Sequence, residues 1–273
     1  MPRRPLELRH AVALGVLQGP AELLPISSSG HIVLVPALLG WPYTDLDPEL
    51  RKSFEVSLHL GTAAGLLIGL RREVAEYVRG FGPHNVLSLS LSTAPAAIIA
   101  LRYERAIERR LGSPPSVAAA LLAGSAAMTI ADRRPKDRER DDANLVDALV
   151  IGLAQAFALA PGVSRNGATL TAARWRGFKP KDANVISRQI ALPVIVGAGV
   201  LKGVRLARRG DVPSALARGM AAGAAAAFAS TLISMGLIRM LERSRSLLPY
   251  AIYRTVLAGV AMAAGRRHPA AIQ

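Results

Sequence analysis

The sequence has no cysteine among its 273 residues. Disulfides, cysteine-ligated metals and thiol nucleophiles are therefore excluded together. Aromatic residues make up only 4%. With so few, and with no zinc-finger or RNA-binding signature, the basic balance does not read as a nucleic-acid surface. Acidic residues are scarce as well: 19 Asp+Glu stand against 34 Lys+Arg, a formal net charge of +15. An apolar content of 51% excludes disorder.

What the chain does have is long uncharged runs. They cover Leu23–Thr44, Gly80–Leu101, Leu111–Ala131 and Gly219–Ile238, each 20 to 22 residues long. Shorter runs cover Val56–Leu70, Ala148–Ser164 and Gln189–Leu201. A helix crosses a bilayer's hydrocarbon core in about 20 apolar residues, so an ordinary soluble domain does not fit. The cations lie between the runs: Arg71, Arg72 and Arg79; Arg102, Arg105, Arg109 and Arg110; Arg133, Arg134, Lys136, Arg138 and Arg140; Lys202, Arg205, Arg208 and Arg209; Arg239, Arg243 and Arg245. Loop cations beside apolar spans set membrane topology and meet anionic headgroups. Because nearly every loop is basic, their count does not fix orientation. The start, MPRRPLELRH, is basic too, but Glu22 interrupts the apolar stretch behind it and no small-residue cleavage site is clear. We do not read a removed signal peptide there.

Comparing the chain with itself adds more. GVLQGPAELLPISSSGH from Gly15 lies beside GLAQAFALAPGVSRNGA from Gly152, with Gly15/Gly152, Gln18/Gln155, Ser27/Ser164 and Gly30/Gly167 all offset by 137. Four coincidences at one offset of almost half the chain indicate duplication. Both segments carry proline, serine and glycine where a straight helix forbids them. Irregular backbone at membrane depth persists only inside protein or beside a wet cavity. We therefore expect two re-entrant helix–turn–helix hairpins whose tips meet, in an inverted repeat. The predicted fold is an all-α polytopic membrane protein with about six transmembrane helices plus two re-entrant pairs. It forms a single integral domain over 1–273, with halves of roughly 1–136 and 137–273.

The two tips carry Gln18, Glu22, Ser27, Ser28, Ser29, His31, Ser164, Arg165, Asn166 and Thr169. A charge in an apolar segment costs at least about 2.5–3.5 kcal/mol, so Glu22 and Arg165 need a partner or water. Together the groups suit an oxyanion, with Arg165 as a bidentate phosphate ligand. Glu22, helped by Gln18, is expected as general base or as ligand of a divalent cation, Mg²⁺ or Ca²⁺, whose shell phosphates and water would complete. The nucleophile candidates are Ser27, Ser28, His31 and a water activated by Glu22. His31 follows Ser28 by three residues, which permits a Ser28–His31 pair on one helical face. Plainer readings stand beside these: serine caps for Ser27–Ser29, a turn role for Asn166, helix–helix hydrogen bonds for Gln18 and Gln155. Arg254 and Arg188 each split apolar stretches and require partners, a cavity or an interface. Glu55 and His59 share a helix face in FEVSLHLGTAAG, where interhelical packing is the expected role.

On these residues the chain resembles the undecaprenyl-diphosphatase family of bacterial membrane enzymes. GVLQGPAELLPISSSGHIVL and ALAPGVSRNGATLTA resemble its two signatures, while FEVSLHLGTAAG and LPYAIYR resemble weaker stretches. Departures are Gln18 where the family often has Glu, Leu24 for an aromatic, Asn166 for a second serine, and SRQIALP for a more apolar run. The resemblance implies removal of the terminal phosphate from a C55 isoprenyl diphosphate, in a multi-pass protein of the plasma (inner) membrane. It further implies support by a divalent cation, resistance to bacitracin, and a site usually assigned to the outer face. It places Glu22, Ser28, His31 and Arg165 in catalysis and Gln18, Ser27, Ser29, Ser164, Asn166 and Thr169 in substrate binding. The lipid substrate and membrane lipids are the expected partners, nucleic acid is not, and a homodimer is an open expectation. Lipid phosphatases of the type-2 phosphatidate class share Ser-Gly-His and Ser-Arg, but Thr171 stands where they need histidine. A polyprenyl-phosphate transporter or flippase of the same fold is the competing reading, and a catalytically dead homologue the third.

Overall fold

The computed structural model describes residues 6–43, 46–207 and 214–267, so the first five residues of the basic start and Arg208–Arg209 lie outside it. Its described residues form twelve α-helices and no strand. In chain order these are α1 (Leu8–Leu23), α2 (Ser28–Leu39), α3 (Pro48–Gly69), α4 (Arg71–Arg79), α5 (Pro83–Leu111) and α6 (Pro114–Asp132). The second half holds α7 (Leu145–Phe157), α8 (Arg165–Trp175), α9 (Pro180–Ala207), α10 (Ser214–Ile233), α11 (Gly236–Arg243) and α12 (Leu248–Arg267). Four helices, α5, α6, α9 and α10, are each long and apolar enough to cross a membrane. Among the described residues, the bent pairs α3–α4 and α11–α12, kinked by 72° and 113°, raise the count to six if each pair crosses as one span. The protein is thus an all-α multi-pass membrane protein.

Two short pairs remain, α1–α2 and α7–α8, at the segments where the sequence breaks helix rules. Pro25 forces the residue before it out of the helical region, and Leu24 is extended at ψ 153°. The chain resumes helix at Ser28 after Ser27, whose φ is +75°. At the second tip Ser164 has φ +69° and precedes α8. These two serines are the only described non-glycine residues with positive φ. In each, the hydroxyl accepts from an N–H three residues on, Gly30 (3.2 Å) and Gly167 (3.1 Å), as an N-cap does.

The packing of the halves is crossed. Helix α1 lies along α10, while its counterpart α7 lies along α5. Helices α6 and α12 lie along each other, and so do α3 and α9. Asp132 at the end of α6 accepts from Ser246 Oγ (2.5 Å) and from the N–H of Leu247 (3.0 Å), just before α12 begins. The two helices therefore run antiparallel.

Small residues let these helices approach closely, the usual device where lipid removes the hydrophobic drive between helices. A Cβ on Gly223 of α10 would lie 2.9 Å from Leu58 and 3.0 Å from Phe54. Beside a core that includes Phe54, Leu58 and Phe178, many large apolar side chains also face outward: Ile233 is 84% exposed and Phe157 75%. An apolar outer surface of this kind suits lipid contact.

Candidate active site

The two tips meet, and four contacts join them. Arg165, first residue of α8, forms an ion pair with Glu22 at the end of α1. Asn166 Nδ2 donates to the Leu23 carbonyl at 2.7 Å. The N–H of Gly162 donates to Ser29 Oγ at 3.3 Å. Arg254 of α12, fully buried, donates to the carbonyls of Pro25 (3.3 Å), Gly162 (3.2 Å), Val163 (3.1 Å) and, on α6, Leu121 (3.4 Å). The partner that Arg254 requires is thus backbone, drawn from both tips at once. Its role is to hold the tips, since its Nη groups are spent on carbonyls.

Glu22 is the hub. One carboxylate oxygen faces Arg165; the other accepts from Ser28 Oγ at 2.6 Å and from Gln18 Nε2 at 3.3 Å. His59 of α3 places Nδ1 3.8 Å from that second oxygen and 3.2 Å from Gln18 Nε2. Two buried atoms in this group lack a partner within the protein: Arg165 Nε and Gln18 Oε1. The first is a donor and the second an acceptor, which suits a charged ligand. A cleft beside the pair is walled by Leu23, Leu66, Leu70, Leu192, Ile195 and Ile238. Arg188 stands on the same cleft, held by Glu73 (3.2 Å) on α4 and Glu242 (2.7 Å) on α11.

Not all of the expected residues meet at Glu22. The Ser28–His31 pair is not formed. Ser28 turns to Glu22, whereas His31 Nδ1 donates to the Ser27 carbonyl (2.7 Å) and Nε2 accepts from Tyr253 (2.7 Å). The reason is the break at Ser27: the first turn of α2 points Ser28 back at α1, while His31 faces α12. The hydroxyl oxygens of Ser27 and Ser164 accept the cap bonds from Gly30 and Gly167, which leaves each O–H free to donate. Thr169 Oγ1 is taken by the Arg165 carbonyl (3.0 Å) and Ser187 (2.6 Å). Ser29 and Asn166 join the tips. Gln155 does not mirror Gln18: its Nε2 donates to the Ser92 carbonyl of α5 at 3.0 Å, a helix–helix bond. Glu55 leaves the site for Tyr43 (3.0 Å), and His59 enters it. Nothing within FEVSLHLGTAAG distinguishes the two; the distinction lies in α1, which reaches only His59.

The family described as bacitracin resistance protein BacA matches residues 11–260. The chain belongs to that family. An undecaprenyl-diphosphatase of Geobacter sulfurreducens is 38% identical over 271 residues, spanning 94% of this chain and 98% of its own. Proteins of the same description from Trichlorobacter lovleyi and Campylobacter concisus are 36% and 34% identical, over 95% and 92% of this chain and 97% of their own in both cases.

The BacA fold here does not by itself make a cation cage. No three of its His, Asp and Glu converge among the described residues. Both oxygens of Glu22 are engaged, one of them by a guanidinium that would repel a dication. The donor set therefore does not fit a protein-held Mg²⁺ or Ca²⁺.

Proposed function

We propose that this BacA-family chain is an undecaprenyl-diphosphate phosphatase of the plasma membrane, releasing inorganic phosphate from a C55 isoprenyl diphosphate. The relatives' shared description supports the reaction. The observation that carries the site is a single carboxylate, Glu22, that meets both Arg165 and Ser28 where two broken helices join. A hydroxyl 2.6 Å from a carboxylate has its base in place. A guanidinium with an unused buried N–H supplies charge for the phosphates.

In this reading the terminal phosphate displaces Glu22 from part of the Arg165 fork, and the isoprenyl chain follows the apolar wall of the cleft. Ser28 Oγ attacks the terminal phosphorus as its proton passes to Glu22. The new O–P bond forms as the bridging P–O bond breaks, and the lipid monophosphate leaves with the bond's electron pair. Glu22 hands its proton to the departing monophosphate and, a carboxylate again, activates the water that splits the phosphoserine, and the proton taken from that water returns to Ser28. A divalent cation would be brought by the diphosphate as a counterion, and would supply charge neutralisation that these side chains do not hold in place. His31 holds the Ser27 carbonyl and so sets the turn that aims Ser28.

Phosphate release from C55 diphosphate by the purified chain tests the reading against a transporter, which would release none. Arg165→Lys keeps the charge but loses the fork, and turnover should fall by about 10²-fold or more. Glu22→Gln should fall by about 10²–10⁴-fold. Native turnover in either variant would remove that residue from the centre.

A further inference from the structure

Helices α6 and α12 leave between them a groove of about 350 Å³ that the site at the tips does not use. Two ridges of α6 form one wall, with Leu122, Ala126 and Ile130 on the first and Ser125 and Thr129 on the second, each spaced by four residues. Thr255 of α12 lines the other side, and Arg133, next along the second ridge, closes the end. The wall hydroxyls are satisfied inside their own helices. Ser125 donates to the Leu121 carbonyl (2.8 Å), Thr129 to that of Ser125 (2.9 Å) and Thr255 to that of Ala251 (2.8 Å). No hydroxyl donor in the wall is left over, so the groove accepts an apolar chain.

Length and charge say what that chain belongs to. From Leu122 to Arg133 the helix rises about 16 Å, close to half of a hydrocarbon core of about 30 Å. The groove thus runs through one leaflet, from headgroup level to the midplane, which is the reach of a lipid chain. A helix crossing the membrane would need about twice that length. The headgroup end carries the charge. Other cations of the turn after α6 are engaged: Lys136 with Asp132 (3.5 Å), Arg138 with Asp147 (2.7 Å), Arg140 with Asp141 (3.5 Å), and Arg134 over the Trp175 ring (4.1 Å). Among the described residues Arg133 has no carboxylate or ring partner, and it is the cation that reaches the groove.

We propose that the α6–α12 groove binds one anionic phospholipid, its phosphate on Arg133 and one acyl chain along Leu122, Ala126 and Ile130. Basic pockets between transmembrane helices at headgroup level hold anionic lipids in this way. The bound lipid lies behind the seat of Arg254, the residue that gathers both tips. Thr255 follows Arg254 directly, and Ser125 follows Gly124, where a Cβ would strike Arg254 Nη2. By filling the groove the lipid ties α6 to α12 and braces the pair that holds the joined tips.

The test is thermal unfolding of the full chain in detergent, titrated with dioleoyl phosphatidylglycerol or with dioleoyl phosphatidylcholine, with native mass spectrometry to count bound lipid. Phosphatidylglycerol should raise the midpoint through one saturable site. It should bind about fivefold tighter than phosphatidylcholine, the worth of one cation beside an anionic headgroup. Arg133→Gln should remove that preference, and Arg134→Gln, whose cation lies over Trp175, should keep it. Ala126→Phe fills the groove with an apolar ring and should abolish the saturable binding of both lipids. Equal affinity for the two lipids in the native chain overturns the proposal, as does a preference that survives Arg133→Gln. An equal rise in midpoint with inorganic phosphate alone overturns it too, since the acyl chain would then play no part. Light scattering covers the other occupant: a native dimer that Ala126→Phe turns into a monomer with lipid binding intact makes the groove the seat of a second copy and overturns the lipid. If Ala126→Phe does not fold, the comparison of Arg133→Gln with the native chain decides alone.

Discussion

Neighbouring hydroxyls at the first tip have different work. Ser27 sits at φ +75° and spends its oxygen on the Gly30 N–H. A left-handed non-glycine residue costs of order 1–3 kcal/mol and persists only where its surroundings require it. Here the requirement is the turn that brings Ser28 onto Glu22. Ser27→Ala should destabilise by about 1 kcal/mol through the lost cap. Ser27→Gly, free of the φ penalty, should be the more stable of the two. Ser28→Ala should leave the thermal midpoint near native yet remove turnover by about 10³-fold or more, as loss of a nucleophile does. Thermal melts and phosphate release on the three variants check the ordering. A Ser28→Ala enzyme at native rate would hand the attack to water.

At the scale of elements, the junction of the hairpins depends on Arg254. Its guanidinium gathers carbonyls from both tips and from α6, with no carboxylate among them. Room for it is made by glycine: a Cβ on Gly167 would lie 2.8 Å from its Nη1. Arg254→Gln strands several buried carbonyls and should destabilise by about 2–4 kcal/mol. Turnover should fall with it, because Glu22 and Arg165 sit on the two tips that separate. A thermal midpoint equal to the native one would show that the tips hold without it. The tips themselves were legible in the sequence, because Pro25, Gly162 and the serines punctuate the chain locally. The cost of a lone charge in lipid required a partner or water for Glu22 and for Arg165, but it did not say that each would be the other's partner. The identity of the histidine beside Glu22 was not legible. Spacing along one helix favours His31 for Ser28, but the turn at Ser27 redirects them, and His59 arrives from α3, 41 residues from Gln18. Equivalence within the repeat was equally uninformative for Gln155, whose neighbour is the α5 backbone and not a histidine.

At the scale of the whole molecule, crossed packing and antiparallel α6 and α12 make orientation testable without knowing which leaflet the site serves. Helix α6 starts after Ser113 and ends at Asp132, and α12 starts at Leu248. An inverted repeat puts the starts of these two counterparts on opposite membrane faces. The hydrogen bonds from Ser246 and Leu247 to Asp132 put the start of α12 beside the end of α6. The chain has no native cysteine, so single cysteines can be read without background. Ser113, Asp137 and Arg245 are all exposed, and Arg245 engages its neighbours through its backbone carbonyl. In intact cells, an impermeant maleimide should label Asp137→Cys and Arg245→Cys alike, and Ser113→Cys oppositely. Labelling of Ser113→Cys and Asp137→Cys from the same side would mean that α6 does not cross. A split between Asp137→Cys and Arg245→Cys would mean that α12 does not run back beside it, and the two halves could not then present their tips to each other at mid-membrane.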